Sequence, residues 1–91
     1  MVDEYYLYTF ESTHGAISTE KILKKAGSVV MPVPRAISTS CGIAVRINPD
    51  KFDESVKMFK EESDLSDDEY LIYHIMHDKD ADRYDYEEHR I

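Results

Sequence analysis

Apolar residues alternate along some stretches of this chain and recur every third or fourth residue in others, and each change of period marks a new element. In residues 4–11 (EYYLYTFE), Tyr6, Tyr8 and Phe10 fall on one side of an extended strand and Tyr5, Leu7 and Thr9 on the other. Ser12-Thr13 then offers N-cap hydroxyls to a helix running to Ala26, with Ala16, Thr19, Leu23 and Ala26 at helical spacing. Lys24 and Lys25 suit its negative end, and Gly27 is placed to stop it. Residues 29–33 predict a second strand. Pro32 and Pro34 withhold amide donors there, so the strand lies at an edge or ends at that point. Residues 42–47 predict a third, with Ile43, Val45 and Ile47 on one face and Ala44 and Arg46 on the other. Asn48-Pro49-Asp50 opens a second helix, Pro49 standing in the first turn where a missing amide costs little, and Phe52, Val56 and Phe59 form its apolar stripe. The acidic stretch 61–69 reads as a loop, and residues 70–76 as a fourth strand.

The order β-α-β-β-α-β predicts an α+β fold of the ferredoxin-like kind: a four-stranded antiparallel sheet with two helices on one face, formed by residues 1–76 as a single domain. The other face carries tyrosines and aliphatics, which points to partial exposure or to a homodimer formed through the open face of the sheet. Residues 77–91 hold six acids and three bases with little apolar period, which predicts a loosely ordered acidic tail anchored by Tyr84 and Tyr86.

Composition narrows the function classes. Ninety-one residues build one core, and one cysteine excludes an internal disulfide, so stability rests on packing or on a partner subunit. Nineteen acids against eleven Lys and Arg give a net charge of −8, which opposes nucleic acid as a partner. The third strand, GIAVRI, also lacks the aromatic, basic pattern of an RNA-reading sheet. No apolar stretch is long enough to span a membrane, and no basic-then-apolar leader opens the chain, so a reducing cytoplasmic setting is expected for the lone thiol.

The chemistry-bearing candidate is Cys41, the one strongly nucleophilic side chain. A small buried thiol at the head of a core strand is a common packing residue. Three local features argue for reactivity instead. Arg35 would bring fixed positive charge near the sulfur, Ser38, Thr39 and Ser40 would solvate an anion there, and Gly42 would leave room for approach. This reading requires the sulfur to lie near solvent. With no second cysteine, a dithiol cycle is excluded, and a single thiol suits a carrier that accepts an atom and passes it on. His14, at the first turn of the first helix, is a candidate proton relay against the plainer reading of a surface histidine. No third group is available to orient a Cys-His hydrolase, so no catalytic residue and no enzyme activity are assigned. Asp78, Asp80 and Asp82 alternate like the start of a calcium loop, but Arg83 stands where glycine is required and His89 where the bidentate glutamate belongs. His74 and His77 are too short a set for a metal site, so neither metal nor cofactor is expected, apart from an atom carried on Cys41.

Three segments, YYLYTFESTHGAISTEKILKKAG, VVMPVPRAISTSCGIAVRI and EYLIYHI, resemble the selenium/sulfur carrier-like family of small domains of unknown function. The matching elements are Phe10, Ser12-Thr13-His14, Pro34-Arg35, Ser38, Ser40, Cys41 and Gly42, and the resemblance spans about residues 4–76. It implies a cysteine that carries sulfur or selenium between a protein donor and a protein acceptor. The Cys-Pro-x-Pro of small sulfur-relay proteins is absent. Two readings from other classes stand beside the carrier. One is a dimeric ligand-sensing or protein-interaction module in which Cys41 is structural; the other is a one-cysteine redox sensor.

Overall fold

The computed structural model describes residues 1–34, 37 and 41–91. Strand β1 (Val2–Phe10) leads into helix α1 (Thr13–Leu23), a 3₁₀ turn (Lys24–Ala26) and strand β2 (Val29–Pro32). Strand β3 (Ile43–Ile47), a 3₁₀ turn (Pro49–Lys51), helix α2 (Phe52–Glu62) and strands β4 (Tyr70–Asp78) and β5 (Arg83–His89) complete the chain. Ser12 caps α1 by accepting from the Gly15 amide at 3.2 Å. Gly27 ends the following turn at φ 78°, a conformation that a Cβ would strain.

The five strands pair antiparallel in the order β2-β3-β1-β4-β5. This overturns the expected four-stranded ferredoxin-like βαββαβ fold: the sheet has five strands with two helices. The extra strand comes from the segment expected to be a loosely ordered tail. Residues 77 and 78 extend β4, and residues 83–89 pair with it along seven positions, from Ile72 opposite His89 to Asp78 opposite Arg83. The hairpin between them is shaped by Asp78, whose Oδ1 accepts from the amides of Asp80 (3.1 Å) and Ala81 (3.2 Å), with Asp82 at φ 49°. The alternating aspartates therefore serve a turn.

Alternation sorts the sheet into two faces. Tyr8, Phe10, Val45, Ile47 and Ile72 pack under the helices with Ala16, Leu23, Phe52 and Phe59. Tyr5, Leu7, Ala44 and Ile75 form a second cluster on the other face, covered by Ile37 with Val33 and Met31 alongside. Val33 and Ile37, which follow β2, thus lie over part of the face expected to be open. Beside this cover, Arg46 lies 4.3 Å over the Tyr5 ring and meets Asp3 through two N–O contacts of 3.2 Å. Among the described residues, no helix is long and apolar enough to cross a membrane.

Candidate functional site

Thr9 faces Ala44 in the antiparallel β1–β3 ladder, so continuing the register sets Cys41 level with Ser12. Cys41 therefore sits at the end of the sheet where β1 turns into α1. Its sulfur is 3.9 Å from Thr13 Oγ1, in the first helical residue, and 3.7 Å from the Ile43 carbonyl oxygen. The thiol donates in both contacts, and the Thr13 hydroxyl, unlike the carbonyl, can also rotate and donate. The first turn of α1 adds partial positive charge from amides that have no intrahelical acceptor.

The sulfur is not near solvent as expected. Cys41 is 4% exposed and belongs to the helix-side core with Tyr8, Phe10, Ala16 and Val45. Gly42, the next residue, is exposed, and a Cβ built there meets nothing within 4 Å. His14 is exposed on the same first turn as Thr13. Arg35, Ser38, Thr39 and Ser40, the anticipated thiolate-stabilising loop, lie outside the described residues. Sequence reading gave Thr13 a capping role and a place in the family signature, but no contact with Cys41. That contact follows from the antiparallel pairing of β1 with β3, which brings position 41 beside positions 12 and 13.

Deeper in the same core, Tyr8 and Ser55 are fully buried and hydrogen-bonded at 3.0 Å. Ser55 spends its proton on the Phe52 carbonyl at 2.7 Å, so Tyr8 donates to Ser55. Burial pushes the Tyr8 phenol up to about 12.

The histidines do not converge on one site. His74 and His77 point to opposite faces of β4, because they stand an odd number of positions apart on a strand. His74 Nε2 bonds Glu4 Oε2 at 2.6 Å, and its ring stacks on Tyr6, which stacks in turn on Phe52 at 3.7 Å. His89 closes this column edge-on to Phe52 and Tyr6. His77 stacks on Tyr84 at 4.0 Å, and its Nε2 is 3.6 Å from Asp82, too long for a hydrogen bond. Among the described residues, no three His, Cys, Asp or Glu side chains are grouped to hold a metal ion. A cleft of about 240 Å³ lies between residues 67–72 and 88–91, and Cys41 does not line it.

No curated protein and no solved structure matches the chain. A family model does: the one described as "Putative Se/S carrier protein-like" matches residues 5–70, a span that takes in most of β1, all of α1 and α2, and Cys41 with its Thr13 and Ile43 neighbours. The chain belongs to that family.

Proposed function

We propose that the protein is a non-enzymatic carrier that holds one sulfur or selenium atom on Cys41. Membership of the carrier-like family is the observation that supports this most directly. The position of the sulfur beside the Thr13 hydroxyl and the first turn of α1 gives it a chemical basis. In the loading step, the Cys41 thiolate attacks the outer sulfur of a donor persulfide, R–S–SH. A new sulfur–sulfur bond forms on Cys41, the old one breaks, and R–S⁻ leaves. Unloading is the same exchange onto an acceptor thiolate, which regenerates the Cys41 thiolate. No outside oxidant or reductant is needed in either direction, and a selenium atom travels by the same displacement. Arg35 and the Ser38-Thr39-Ser40 loop would stabilise the anion, Gly42 would leave the approach clear, and His14 would take or return the proton. Donor and acceptor are proteins that reach the end of the sheet where β1 meets α1.

The test is mass spectrometry after incubation with a small-molecule persulfide or selenopersulfide donor. An added sulfur or selenium mass on the native protein, lost in Cys41→Ser, is expected. An adduct formed equally on the variant overturns the proposal.

One observation favours a second reading. Cys41 is 4% exposed within an apolar core, which suits a structural cysteine in an interaction module, dimeric through its sheet. That reading expects a thiol that reacts only after denaturation, and sedimentation showing a dimer.

A further inference from the structure

We propose that β5 is a docking edge that takes up an extended basic segment of a partner protein as a sixth strand. The two edges of the sheet differ. β2 is four residues long and ends in Pro32, a short edge that proline blunts. β5 is seven residues long, exposed throughout, and contains no proline and no residue with positive φ. It ends the strand order, so among the described residues no strand pairs with its outer side. A strand of this length with an unused backbone ladder is a template for strand addition.

The edge is held ready. Tyr84 stacks on His77, Tyr86 meets Tyr73 edge-on at 6.2 Å, and His89 packs against Phe52 and Tyr6. Ring contacts from these three residues, spread along both faces of the strand, fix it to the body before any partner arrives. Little ordering cost is then left for binding.

Charge identifies the occupant. Asp85 and Glu87 lie on the helix-side face of β5, while the half-exposed Tyr84 and Tyr86 lie on the other. Arg83 shares Asp85 at 3.8 Å, and Arg90 shares Glu88 at 3.3 Å, whereas Glu87 has no ion pair among the described residues. A second copy of β5 paired antiparallel about Tyr86 would set Asp85 opposite Glu87, which opposes self-pairing. A segment with Lys or Arg at alternate positions, and aliphatic residues between them, meets carboxylates on one face and tyrosine rings on the other. Family membership plays no part in this inference, because the matched span ends at Tyr70, before β5 begins.

The experiment uses the full chain and three synthetic peptides of equal composition. One alternates Lys with Val, one groups the lysines in a block, and one is the alternating peptide with backbone N-methyl groups on every second residue. Fluorescence titration should show binding of the alternating peptide, with hydrogen exchange slowed at the β5 amides. The block and N-methylated peptides should bind at least about tenfold more weakly, and Asp85→Lys/Glu87→Lys should weaken the alternating peptide by a similar factor. Equal binding of all three peptides would reduce the effect to general attraction between opposite charges and overturn the proposal. So would unprotected β5 amides, or protection already present in the peptide-free protein through self-association.

Discussion

The residue that carries the proposed chemistry and the residue that anchors the core share one helix-side cluster, yet their polar atoms are satisfied differently. Tyr8 donates to Ser55, whose own proton goes to the Phe52 carbonyl, so the serine is a relay between a strand and the first turn of α2. Ser55→Ala would strand a buried phenolic proton, and a loss of about 1–3 kcal/mol is expected. Tyr8→Phe leaves Ser55 bonded to Phe52 and should cost less. Chemical denaturation of the two variants and the double variant would check this order. A larger loss from Tyr8→Phe than from Ser55→Ala would contradict it. The same phenol sets a pH dependence. Its folded value of about 12 lies above the unfolded value of 10.0, so the folded state keeps its proton more tightly. This contribution is complete below pH 10.0 and is lost as the pH rises to about 12. A shift of that size corresponds to about 2–3 kcal/mol. Native protein should therefore lose more stability than Tyr8→Phe across that interval; parallel losses would show that Tyr8 ionises without penalty.

At the level of elements, the sequence revealed whatever burial had imprinted on it. The alternation Tyr6, Tyr8, Phe10 against Tyr5, Leu7, Thr9 appears as two faces in separate clusters, because each side of β1 meets its own apolar cover. β5 left no such imprint. RYDYEEH has no buried side, so its strand state comes from the ladder with β4 and from ring contacts with residues distant in sequence. The cover of the second face was equally hidden, since Ile37 lies in what reads as a polar loop. The approach of Thr13 to Cys41 needed the β1–β3 register, which no local pattern specifies. If ring contacts rather than burial hold β5, removing one should loosen that strand selectively. His89→Ala is expected to speed hydrogen exchange at the β5 amides while changing global stability by no more than about 1 kcal/mol. Unchanged exchange in β5 would mean the backbone ladder alone secures it.

For the whole molecule, the decisive question is how a covered thiol reaches a donor. Carrier chemistry needs a local opening at the junction of β1, α1 and the strand that follows Cys41, with the remaining core intact. A structural cysteine would be exposed only when the core opens as a unit. A mild core lesion away from Cys41 separates the two cases. Ile47 is fully buried at the far end of β3, and Ile47→Val should cost about 0.5–1.5 kcal/mol. If Cys41 reacts through global opening, its rate of alkylation by a small thiol reagent should rise about 2- to 10-fold in this variant, in step with the lost stability. If it reacts through local opening, the rate should stay at the native value, and low concentrations of urea should leave it unchanged. The carrier proposal requires the second result. A rate that follows global stability would leave Cys41 inaccessible on the time scale of exchange between folded partners, and its role would be packing.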